Sequence, residues 1–133
     1  MRHEFQIICD VEQQHVDELM HVNNVQFVAW MQELASAHWR KYVTPEIHSK
    51  YYWVVQSHQI KYLKEARLGE QLLLVTSVAE PSTFRWDRNY TFYRKQDGVL
   101  IAEASSTWVL MDRTSRKPSI INDSVRAVFL SND

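Results

Sequence analysis

Asp17-Glu18-Leu19-Met20-His21-Val22-Asn23-Asn24-Val25-Gln26-Phe27-Val28-Ala29-Trp30 is the stretch around which this chain is organised. An acid and a histidine stand four residues apart, two asparagines follow, and an apolar-periodic run begins directly after them. Asn23 and Asn24 both have the chemistry of an N-cap, since a side-chain carbonyl accepts from the first free amides of a helix. Further amides at a helix start point outward, and the helix dipole favours negative charge there. An acid, an imidazole and a helix N-terminus so close in the chain suit the polarising of a carbonyl and the delivery of water to it.

Downstream of this start the periodicity predicts a helix from about Asn24 to Tyr42. Phe27, Trp30, Met31, Leu34, Ala37 and His38 recur at spacings of three and four. Val28, Ala29 and Ala35 broaden the apolar surface beyond one stripe, so the helix needs burial on more than one side, as inside a curved sheet. Thr44-Pro45 ends it. Upstream, His3 to Asp10 reads as a strand and Val11 to Val22 as a loop. Further on, strands are expected at Tyr51 to Lys64, Gln71 to Ala79, Phe84 to Gln96 and Val99 to Met111, with a short capped helix at Asn122 to Leu130. The pattern is α+β: one strand, a long helix, then a four-strand meander.

Asp97-Gly98 has the chemistry of a two-residue hairpin turn. Pairing across it sets Ala102, Ala104 and Ser106 opposite Tyr93, Thr91 and Asn89. The aromatic positions Phe84, Trp86, Tyr90 and Phe92 then share a face with Glu103, Ser105 and Thr107. That is an awkward face, and a bulge would shift it.

Composition narrows the function classes. With 133 residues and no compositional break, the reading is a single domain over 1–133. Fifteen Lys and Arg balance sixteen Asp and Glu, so no global field recruits nucleic acid or an anionic membrane. The single cysteine, Cys9, excludes an intramolecular disulfide framework and reads as a buried strand thiol. With neither a signal-peptide pattern nor a membrane-length apolar run at the N-terminus, a cytoplasmic location is expected. Only two glycines occur and no phosphate-binding loop, which disfavours nucleotide chemistry. The six histidines lack metal-ligand spacing, so neither metal nor cofactor is expected. Ser105-Ser106 has no nucleophile elbow around it. Five tryptophans and six tyrosines fit either the lining of an acyl or aryl pocket or a large aromatic core.

His21-Val22-Asn23-Asn24, with Asp17 before it, an aromatic after it and Trp30-x-x-Glu33 beyond, resembles the hotdog-fold acyl thioesterases. Their common form is Asp-x-x-Gly-His-Val-Asn-Asn-x-x-Tyr; here Phe27 replaces the Tyr and Met20 the Gly. Ile60 to Glu70 resembles the family's second strand and turn, and Asp97-Gly98 through Asp112 its closing hairpin, so the likeness covers nearly the whole chain. It implies a hotdog fold, in which a curved antiparallel sheet of about five strands wraps a long central helix. It also implies a homodimer, or a tetramer of such dimers, joined through a continuous sheet. The implied activity is hydrolysis of an acyl-CoA or acyl-carrier-protein thioester.

Within that resemblance Asp17 is the general base or nucleophile, and both roles use its carboxylate form. The competing account of Asp17 is a loop carboxylate bonded to nearby amides. His21 orients water, steadies Asp17 or polarises the thioester, or else fixes the loop to the helix. Asn24 is a candidate participant, with capping the simpler role. Backbone amides at Asn23, Asn24 and Val25 are candidates for an oxyanion hole, and Phe27 for the acyl wall. Glu65 stands where plant-type acyl-carrier-protein thioesterases carry a glutamate and is a candidate second acid; otherwise it is an exposed carboxylate beside Lys64 and Arg67. Leu19 leaves the plant-type Asp-x-Asn-x-His constellation incomplete, and His15 replaces a frequent family Asp. Lys61, Lys64 and Arg67, or Arg85 and Arg88, are candidates for the phosphates of CoA or the acidic surface of a carrier. The alternative is a non-catalytic hotdog module that binds acyl thioesters or protein partners, favoured if the Met20 side chain crowds the pocket. A hotdog dehydratase would need a different histidine and acid arrangement.

Overall fold

A computed structural model describes residues 1–131; the last two residues of the span 1–133 lie outside it. Five strands form one antiparallel sheet: β1 (Glu4–Asp10), β2 (Tyr51–Tyr62), β3 (Gln71–Val78), β4 (Arg85–Arg94) and β5 (Leu100–Asp112). Their spatial order is β1-β3-β4-β5-β2, so β1 and β2 are the edges. Helix α1 (Asn24–Tyr42) lies on the inner face, and α3 (Asp123–Leu130) packs beside its C-terminal half. The sheet curves around α1, and this is the hotdog fold.

The breadth of the apolar surface on α1 explains its place. Phe27, Trp30, Met31, Leu34, Ala35, His38 and Trp39 are all buried, more than one stripe of the helix. The core divides along this helix. Its N-terminal half packs Phe27, Trp30, Met31 and Leu34 on Leu72, Leu74, Tyr90 and Phe92. Its C-terminal half meets Trp86, Leu110, Val125, Val128 and Phe129 through Trp39.

The sequence places α1 and the sheet alternation well, and α2 (Pro45–Lys50) is an addition. Thr44 and Pro45 do more than stop α1: the Thr44 hydroxyl accepts from the Ile47 amide and Pro45 opens a new short helix. At the C-terminus, Asn122 is the cap of α3, accepting from the Val125 amide at 3.0 Å.

The β4–β5 register corrects the two-residue hairpin. Tyr93 pairs with Leu100, yet Phe92 pairs with Ala102, so Ile101 is the extra residue of a bulge. Beyond the bulge Tyr90 faces Ala104 and Arg88 faces Ser106, one position away from the simple turn pairing. A one-residue slip exchanges the faces of a strand. Trp86, Tyr90 and Phe92 therefore share their buried face with Ala102 and Ser106, small enough to seat the helix above. A second register shift in β2, between Val55 and Ser57, adds to the curl of the sheet.

Candidate active site

The loop before α1 is a built turn. Asp17 Oδ1 accepts from the Leu19 amide at 2.9 Å and the His21 amide at 3.2 Å. The Asp17 amide donates to the His21 carbonyl, and the Met20 amide to the Asp17 carbonyl. Closing so tight a turn requires a left-handed residue, and Met20 has φ 63°. The family glycine at this position is therefore explained by backbone conformation rather than by space. Met20 is half-exposed and does not line the groove beside Asp17, so a crowding side chain, the condition named for a binding module, is not met in this groove.

The turn is tied to the segment after β2. The Val22 amide donates to the Ala66 carbonyl and the Leu68 amide to the Met20 carbonyl, and His21 bridges Arg67. That pairing brings Glu65 to His21, with Nε2 to Oε2 at 3.3 Å. The same Glu65 oxygen meets Arg67 Nη2 at 3.2 Å, so one exposed carboxylate serves both an imidazole and a guanidinium. His15 belongs to the scaffold: its carbonyl accepts from the Asn23 amide and its ring packs edge-on to Trp30.

At the helix start the two asparagines separate. Asn23 is the N-cap, its side chain accepting from the Val25 amide at 3.0 Å, and Asn24 is the first helical residue. Asn24 as a cap is thus corrected. The Asn23 and Val25 amides are engaged, the first by the His15 carbonyl and the second by the cap. The Asn24 amide is the one of the three with no partner among the described residues. The Asn24 carbonyl accepts from the Tyr62 hydroxyl at 3.2 Å.

These groups line a groove of about 320 Å³ walled by Asp17, His21, Asn24, Tyr62, Lys64 and Glu65, with Phe27 at its floor. Phe27 is only 3% exposed and contacts Trp30, Tyr62 and Phe92 edge-to-face. Val25 points outward and lies outside the groove. Lys64 and Glu65 also border a shallow polar hollow with Arg67, Glu70 and Arg94. Lys61 is not in this hollow, and Arg85 and Arg88 do not form a cluster. Alternation puts them on opposite faces: Arg85 is exposed and bonded to Gln56, whereas Arg88 is buried. No three His, Cys, Asp or Glu residues cluster as metal ligands among the described residues. Cys9 is pushed up to about 11, chiefly by burial, which makes it a poor nucleophile.

The model of the Thioesterase-like superfamily matches residues 11–129, and the chain belongs to that superfamily. No curated protein matches the sequence. Among solved structures, the fold is similar to that of a 1,4-dihydroxy-2-naphthoyl-CoA thioesterase from Synechocystis, with TM-score 0.83, 18% identity and 96% of each chain covered. It is similar to YbaW, a probable thioesterase from Escherichia coli, with TM-score 0.84, 19% identity, and 92% of this chain and 94% of that one covered. A Staphylococcus aureus protein solved in complex with CoA gives TM-score 0.85 at 14% identity, over 94% of this chain and 80% of that one.

Proposed function

We propose that this protein hydrolyses an acyl thioester of CoA or of an acyl-carrier protein, with Asp17 as general base or nucleophile. The observation that carries this reading is the meeting on the wall of one groove of Asp17, His21 and Asn24, whose amide has no partner among the described residues. As general base, Asp17 takes a proton from water while the water oxygen bonds to the thioester carbon. The carbonyl oxygen gains negative charge, which the Asn24 amide at the positive end of α1 stabilises. Collapse breaks the C–S bond, and the sulfur leaves as thiol with that proton. As nucleophile, the Asp17 carboxylate instead bonds to the thioester carbon and the C–S bond breaks, releasing the thiolate. Water then opens the mixed anhydride, giving the acid, restoring the carboxylate and supplying the proton that ends on the thiolate. His21, held by Glu65, orients the water or the carbonyl. Lys64 and Arg67 border the polar hollow next door and suit the phosphates of CoA or an acidic carrier surface.

A hydrolysis screen across acyl-CoA chain lengths, read by release of free thiol, tests this reading; no turnover of any thioester would end it. The second reading is a binding module, and one observation favours it. Asp17 Oδ1 is already bonded to two amides, as a purely structural turn residue would be. Acyl-CoA binding without hydrolysis would install that reading.

The active form is a homodimer. β2 supports this, since it is a twelve-residue edge strand with half of its backbone pairing unmet and Val54 exposed. Sedimentation at micromolar concentration should give twice the chain mass, and a monomer would refute it.

A further inference from the structure

A second cavity, of about 190 Å³, lies behind the C-terminal half of α1. Its lining begins at Ala35, about three helical turns beyond Asn24, so within one chain it is separate from the Asp17 groove. Trp39, Trp53, Trp86, Trp108 and Phe129 supply flat apolar walls. Into these walls the fold sets a cation. Arg88 lines the cavity and is 5% exposed.

Among the described residues this guanidinium has no carboxylate partner. Both of its hydrogen bonds leave from Nη1, to His38 Nδ1 at 2.9 Å and Thr76 Oγ1 at 3.1 Å. His38 cannot balance the charge. Its Nε2 donates to the Arg2 carbonyl at 2.6 Å, which leaves Nδ1 as the acceptor facing Arg88. Burial, reinforced by Arg88, lowers its pKa to about 4, so the ring is neutral at physiological pH. The Phe129 ring, 5.1 Å from the guanidinium carbon, offers a cation–π contact and no charge. At the mouth stands a second cation, Arg113, and no acidic side chain lines the cavity.

A buried charge is costly unless it is paired. Nη2 remains available, and a guanidinium fork matches a carboxylate in plane and spacing. An apolar cavity of about 150 Å³ admits a benzene ring, so one somewhat larger has room for a ring and a small substituent. We infer that this cavity is a binding site for a small aryl carboxylate, with Arg88 holding the anion and the tryptophans holding the ring. The inference does not rest on thioester hydrolysis, because the cavity shares no lining residue with the Asp17 groove and binding of a free acid is read without turnover.

Benzoate and its neutral counterpart benzamide are the probes. Four of the five tryptophans line the cavity, so tryptophan fluorescence of the full chain reads occupancy directly. Benzoate should bind saturably, and benzamide at least about tenfold more weakly, the difference expected for a charge-assisted pair. Arg88→Met should lower benzoate affinity by at least about tenfold and remove the preference over benzamide. Equal binding of the two probes, no saturable binding of benzoate, or undiminished binding by folded Arg88→Met would overturn the inference. Should Arg88→Met fail to fold, Ser36→Trp at the exposed rim decides it. Blocking the mouth there should abolish benzoate binding, and unchanged binding would place the ligand elsewhere and sink the proposal.

Discussion

The two ends of α1 treat polar groups in opposite ways. At the N-terminal end, Asp17, His21 and Glu65 are partly or fully exposed and each has a complementary partner. Nearly all of that end comes from two short segments, residues 15–25 and 62–67. At the C-terminal end, Arg88, His38 and Thr76 are buried under aromatic rings, come from three different elements, and leave the cation without an anion among the described residues. Polar chemistry near solvent can be assembled locally, because water completes whatever the protein leaves unmet. Polar chemistry in a core needs the whole fold to hold it, and an incomplete set marks a place for something else.

The sharpest test of this contrast is Asp17→Asn. The amide oxygen can still accept from Leu19 and His21, so the turn should survive while the acid–base group is lost. Turnover should fall about 10²–10⁴-fold with binding retained, and a nucleophilic role would cost more. A rate near that of the wild type would reduce Asp17 to scaffold and bring the two ends closer in kind.

The buried end should reveal itself through acid. The pKa of His38 is lowered from its ordinary 6.5 to about 4, mainly by burial. The unfolded chain therefore binds a proton that the folded chain refuses. The stability tied to this neutral histidine is present above about pH 6.5 and is lost as the pH falls toward 4. The loss should be on the order of 3 kcal/mol. Denaturant titrations at pH 7 and 4.5 should show it, and His38→Gln should flatten that dependence; an equally steep decline in the variant would assign the acid sensitivity elsewhere.

A smaller effect is expected at the exposed pair. Glu65→Gln keeps the shape but removes the charge beside His21, and about a tenfold fall in kcat is expected if the pair orients the reacting groups. The double variant Glu65→Gln with His21→Ala should then cost little more than His21→Ala alone, because Glu65 acts through the imidazole. Independent, multiplying losses would show that Glu65 acts on the substrate by itself.

The smallest effect is expected at Met20. Glycine adopts φ 63° without the steric cost a side chain incurs, though it also frees the unfolded chain. Met20→Gly should therefore raise stability by about 1 kcal/mol or less and leave hydrolysis intact, because the side chain lies outside the groove. Loss of activity in a folded variant would mean that the methionine itself shapes the site.

By itself the sequence determined the exposed end and the outline of the fold. The capped start of α1, its wide apolar girth and the β3 alternation depend on residues a few positions apart, and so they are legible in order. The motif likewise announced Asp17, His21 and the helix start, and the resemblance supplied the curved sheet around the helix. Tertiary structure decided the rest. Which asparagine caps depended on the His15 carbonyl reaching the Asn23 amide. The pairing of Glu65 with His21 depended on the bridge between two distant loops. Arg88 stands in the alternation Trp86-x-Arg88-x-Tyr90-x-Phe92, so its inward parity was readable, but its charge argued for solvent. Only the β4–β5 bulge, the neutral His38 from α1 and the Thr76 hydroxyl from β3 show how that charge is held inside. Register and long-range polar partners arise between segments far apart in sequence, where local periodicity carries no information about what will be met.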